Sequence, residues 1–133
     1  MGAFLRSIFA VLTGLIVAMV ILLVVEFASN LVFPLPPDIV LTGSTGQVPL
    51  GAMIMVLVGW AAGSFIGAWL AGRMAGRAPM VHGMIVALLL LTAGITNLMA
   101  FPHPIWMWVL GIAAFVGLGY AGARQAAKAK RPA

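Results

Sequence analysis

Charge is what this chain has least of, and acidic charge above all. Charged residues make up 7% of its 133 positions, where a soluble domain carries about a quarter. The acidic residues are Glu26 and Asp38, set against seven Lys and Arg. A single aspartate excludes an aspartyl pair within one chain. Cysteine is absent, which excludes disulfides and thiolate metal sites and leaves the redox compartment open. None of the four serines (Ser7, Ser29, Ser44, Ser64) stands in a G-x-S-x-G turn, and no glycine-rich phosphate loop with its lysine is present. His82 and His103 bracket a predicted helix, roughly 30 Å apart at 1.5 Å per residue, too far to share one haem iron within a chain. Glu26 with His103 would offer zinc two ligands where it normally takes three or four. These absences predict a non-catalytic protein with no metal and no cofactor.

What remains is apolar. Hydrophobic residues reach 64% and the mean hydropathy is +1.20. A chain of this length has room for one domain and no way to hide so much apolar surface from water. The expected solvent is lipid, and the expected fold is all-α, an integral membrane four-helix bundle. A transmembrane helix needs about 20 mostly apolar residues, and four segments qualify, at about residues 4–30, 49–74, 80–101 and 104–122. Pro49, Pro79 and Pro104 stand at or beside predicted helix starts, where the missing N–H costs nothing. The first run, "FLRSIFAVLTGLIVAMVILLVV", has only Arg6 before it, is too long for a signal-peptide core and lacks a clean cleavage site. It is expected to stay.

A net charge of +5 would suggest nucleic acid if the basic residues were clustered on a soluble surface. They sit instead at the ends of apolar runs. Arg6 precedes the first span, Arg73 and Arg77 lie between the second and third, and Arg124, Lys128, Lys130 and Arg131 follow the fourth. Alternating spans would put all of them on one side, and the positive-inside rule makes that side the cytoplasm. The expectation is an up-down-up-down bundle with both termini inside. The other side would carry the loop of residues 34–48, with Asp38, and the "FPHP" turn with His103. The basic tail, 123–133, could continue the fourth span as a helix and lie in the cytoplasm against anionic lipid.

Small residues set the expected packing. Gly59, Gly63, Gly67 and Ala71 recur every four positions, with Ser64, Ala68, Gly72 and Gly76 beside them. Such a ridge lets another helix backbone approach closely, and it serves an intramolecular groove or a subunit interface equally well. A stripe of Gly83, Ala87, Gly94 and Asn97 in the third span turns Asn97 toward protein. Trp106 and Trp108 fall at one predicted interface and Trp69 and Tyr120 at the other. Trp60 falls nearer mid-membrane, where its indole N–H would want a partner.

Glu26 carries the most chemistry. It lies about 33 Å along the first helix from Phe4, near the edge of the hydrocarbon. Ser29 and Asn30 share its face, and Asn97 and His103 fall at the same depth. A polar cluster of Glu26, Asn30, Asn97 and His103 is therefore the candidate site. An intramembrane carboxylate is a functional candidate by default; a glutamate at a helix end can equally snorkel into headgroups and mark the boundary. Below this level only Thr92, Ser64 and Thr13 offer polar groups, a sparse supply for a conducting path.

The stretches "VVEFASNLVFPLPPD", "VGWAAGSFIGAWLAGRMAGR" and "NLMAFPHPIWMWVLG" resemble those of a loose group of small, uncharacterised bacterial inner-membrane proteins with four spans. The resemblance covers most of the chain and implies a location but no activity. Small multidrug exporters also have four spans and a glutamate in the first, but Glu26 stands at the end of its span. Small fluoride channels are no closer. The function expected is an accessory or structural subunit of a larger membrane complex, or a small self-associating bundle. Its partners would be the lipid bilayer and another membrane protein, itself included, and not nucleic acid. The alternative is a small transporter or channel with Glu26 binding a proton or cation.

Overall fold

The computed structural model describes residues 2–36, 48–101 and 103–129. Most of the 34–48 loop, with Asp38, and the end of the tail, with Lys130 and Arg131, lie outside them. The described residues are all-helical, in four helices long and apolar enough to cross a membrane. They are α1 (Ala3–Val32), α2 (Leu50–Met74), α3 (Pro79–Ala100) and α4 (Ile105–Lys128), the last containing a π turn over Ala114–Leu118.

Helix ends follow the prolines. The α1 helix runs two residues past the expected Asn30 because nothing stops it before Pro34. Phe33, the residue before that proline, leaves the helical region at φ −126° and ψ 73°, and its N–H closes the last turn on the Ser29 carbonyl at 2.7 Å. The α2 helix starts on the Pro49 carbonyl, which accepts from the N–H groups of Ala52 and Met53. It ends at Gly76, whose φ of +78° suits glycine. There Arg6 Nε donates to the Met74 carbonyl at 2.9 Å. A cation thereby meets an orphan carbonyl at the negative end of the helix dipole. Ala78, in the left-handed region at φ 45°, precedes Pro79 at the first turn of α3.

The α4 helix departs most from expectation. It continues six residues beyond 122 into the basic tail, and there it packs against protein rather than lying only against lipid. Gly119, Gly122, Ala123 and Ala126 carry its small face onward, with Ala123 and Ala126 fully buried. Ala126 meets α2 at Gly72, and Ala123 meets α3 at Gly83. Arg124, Gln125 and Lys128 stay exposed on the opposite face.

The α2 helix packs against each of the other three. Its ridge is taken up by α1: Gly59 lies against Val25, Gly63 against Leu22 and Ala18, and Gly67 and Ala71 against Gly14. Residue numbers fall on one helix as they rise on the other, so the two run antiparallel. Because α1 fills the ridge, any association between copies must use another surface. The matching row on α1 is Ala10, Gly14 and Ala18, all buried. Residues of the second α2 row meet α3 and α4 through Ala68 and Gly72.

Candidate ligand-binding cavity

Arg6, Arg73, Arg77, Arg124 and Lys128 gather at one end of the bundle, where Arg6 reaches Met74 and Ala126 reaches Gly72. At that end the helices touch almost backbone to backbone. A Cβ on Gly67 would lie 2.7 Å from the Gly14 carbonyl oxygen, and one on Gly83 would lie 2.7 Å from the Ala68 carbonyl. Toward the other end the lining residues become large, and the helices frame an open-sided cavity of about 590 Å³.

All four residues of the expected polar cluster line this cavity: Glu26 and Asn30 from α1, Asn97 from α3, and His103 from the turn before α4. Ser29 joins them and is buried. They lie on its open side, since Glu26, Asn30 and Asn97 are exposed and His103 is half-buried, and they share that side with the exposed Met19, Leu23, Leu35 and Phe101. The floor is apolar and buried, formed by Trp60, Leu90, Gly94, Met107 and Phe115. Two chemistries thus share one space, a rim of polar and apolar side chains over an apolar floor.

His103 is tied to the backbone. Its Nδ1 lies 2.7 Å from the Phe101 carbonyl and 3.4 Å from the Leu98 carbonyl, at the C-terminal end of α3. A ring nitrogen facing carbonyl oxygens must carry the proton and donate. In the neutral ring this leaves Nε2 as an acceptor. His82, at the other end of α3, has Nδ1 3.0 Å from the Ala78 carbonyl and takes no part in the cavity. Among the described residues no group of three or more His, Cys, Asp or Glu could hold a metal ion.

Trp60 and Phe115 build the floor together, with ring centroids 5.1 Å apart and planes 30° from parallel. Phe115 can enter because Gly94 on α3 leaves no Cβ in its way. The π turn supplies the register. Gly111 packs on Trp60 and Gly119 packs on Ala87. Eight residues apart, they would point about 80° apart on an ideal α-helix. One residue absorbed in the wide turn brings both back to the same side, with Phe115 between them; such π turns recur at functional sites.

Sequence reasoning missed Phe115, Met107 and the α1 row of Ala10, Gly14 and Ala18. The spacing of four in that row is a readable signal. The approach of Phe115 to Gly94 crosses two helices and leaves none. The deeper polar residues do not continue the cavity. Ser64 is fully buried with no hydrogen-bond partner for its hydroxyl. Thr92 is exposed and donates to the Leu88 carbonyl of its own helix at 2.9 Å.

Comparison of the chain with protein-family models, curated proteins and solved structures returned no match.

Proposed function

We propose that the chain is a non-catalytic multi-pass protein of the bacterial cytoplasmic membrane, folded up-down-up-down with both termini in the cytoplasm. It serves as an accessory or structural bundle, in a larger complex or with copies of itself, rather than as a conduit. The observation that carries this reading is where the polar lining stops. Beyond Trp60 and Phe115 the helices meet through glycine, alanine and the apolar Val86, Val11 and Leu15, Ser64 is sealed in, and Thr92 faces outward. A conducting pathway needs polar groups or water at successive depths. The orientation is supported by the five described basic residues at one end of the bundle, opposite Glu26.

One observation favours the transporter reading as well. Glu26, Asn30, Asn97 and His103 converge on a single cavity, as a binding station would require. Reconstitution separates the two. Vesicles holding the purified protein should leak protons and potassium no faster than empty vesicles. A flux abolished by Glu26→Gln would replace the accessory reading with the transporter. Orientation is testable in the same work, because the chain has no native cysteine. Cysteine at Ser44 should react with an impermeant maleimide on intact spheroplasts, and cysteine at Gly2 only after lysis. The reverse pattern would overturn the topology.

A further inference from the structure

We infer that the cavity is a binding site for an amphiphile with a primary ammonium head and an apolar tail. The inference goes beyond the structural role and needs from it only that the cavity sit beside lipid; whether the chain conducts is decided separately by the flux measurement.

The argument begins with what the rim can offer. Glu26 supplies two acceptor oxygens and a negative charge. Asn30 and Asn97 each supply a carboxamide that can accept through its oxygen or donate through its NH2, and His103, with Nδ1 committed to backbone carbonyls, supplies Nε2 as an acceptor. These groups line one cavity, and the one ionisable acid among them faces no lysine or arginine on that lining. The basic residues described lie at the far end of the bundle. An anionic head would meet Glu26 with no lysine or arginine on the lining to offset the repulsion. A quaternary ammonium would satisfy the charge but give none of the acceptors a proton. A primary ammonium has three N–H donors and one positive charge, and it matches both.

The floor selects the remainder of the guest. Trp60, Phe115, Leu90 and Met107 give an apolar surface, with no polar side chain among them but the indole N–H. A volume of about 590 Å³ falls within the usual range for small-molecule sites, roughly 300–1,000 Å³. It admits an alkyl chain or the upper part of a lipid. Ammonium amphiphiles reach such a site from two sources, free amines and aminophospholipids such as phosphatidylethanolamine. The same chemistry recognises either.

The test uses the full chain in a neutral maltoside detergent, with Trp69, Trp106 and Trp108 changed to Phe so that Trp60 reports alone. Titration with dodecylamine should give a saturable change in Trp60 fluorescence. Dodecyltrimethylammonium should bind at least tenfold more weakly, and dodecanol and dodecanoate more weakly still. Glu26→Gln should weaken dodecylamine binding at least tenfold. Ala93→Phe, which narrows the cavity from a lining position that carries no polar group, should abolish it, with both variants keeping the parent's helical circular dichroism and elution volume. If Glu26→Gln misfolds, the ranking of the four dodecyl probes on the parent protein decides alone. Equal response to all four, or unchanged binding in a folded Glu26→Gln, would overturn the site. Lipid analysis of the purified protein then separates the sources. Enrichment of phosphatidylethanolamine over the bulk membrane, lost in Ala93→Phe, marks the lipid; dodecylamine binding without such enrichment marks a free amine.

Discussion

The two ends of this bundle are made from the same four helices and pack by opposite rules. At the arginine end, around Gly14 and Gly83, glycines and alanines lie against carbonyl oxygens and Cβ atoms, with Val86 buried beside them. At the Glu26 end the contacts are Leu22, Val25, Trp60, Leu98 and Phe115, and a cavity opens among them. The difference teaches how a small membrane protein holds a cavity open. Apolar surface gains nothing by leaving lipid for another helix, so association rests on close van der Waals contact. Glycine concentrates that contact at one end. Bulky side chains can then hold the other end apart without dissolving the fold.

The largest expected effect strikes the closed end. Gly67→Val would push a branched side chain into the Gly14 carbonyl and the Ala18 Cβ, 2.7 and 2.9 Å from its first carbon. Neither atom can rotate away. Overpacking of this kind costs about 1–3 kcal/mol and occasionally more; here about 3 is expected, because two backbones must separate. Unfolding in mixed detergent micelles measures it. A loss under about 1 kcal/mol would show that the close approach is incidental and that the two ends do not differ in kind.

At the open end the test is a pair. Phe115→Leu removes the stack on Trp60 and enlarges the cavity, for a loss of about 1–2 kcal/mol. Gly94→Ala alone places a methyl group against the Phe115 ring and should cost about as much. Together they should cost clearly less than their sum, because the smaller Leu makes room for the methyl. Contacting residues that share a cavity couple by about 0.5–3 kcal/mol. Strict additivity would mean that the ring and the glycine are not packed as described.

The sequence showed the helices well and the cavity unevenly, for physical reasons. Spans are long apolar runs, and their ends are written in prolines that cannot donate an N–H. Rise per residue was enough to put Glu26, Asn30, Asn97 and His103 at one level, because depth along a straight helix is nearly a count. The floor resisted because it depends on rotation between helices. Phe115 meets Gly94 and Trp60 only after the π turn has shifted the face of α4, and no residue preference announces such a turn. The burial of Ala123 and Ala126 was obscured by their neighbours. Arg124, Gln125, Lys128 and Lys130 make the segment look like a solvated tail, although its alanines keep the spacing of a packed face.

The smallest expected effect lies where the two ends meet, at Ser64. Its hydroxyl is buried, and among the described residues no donor or acceptor reaches it. An unmatched buried hydroxyl has lost water without replacing it, and restoring an apolar group is close to neutral or slightly favourable. Ser64→Ala should therefore shift stability by no more than about 1 kcal/mol, in the stabilising direction, and leave proton and potassium leakage of reconstituted vesicles at the empty-vesicle level. The opposite outcome would be informative at this depth. If Ser64→Ala destabilised the protein, the hydroxyl would have a partner, most simply an ordered water below Trp60. If it also lowered a measurable flux, that water would belong to a polar path crossing from the open end into the closed one. The boundary at Trp60 and Phe115 would then be a gate between them, and the contrast between the ends would describe one state of a moving protein.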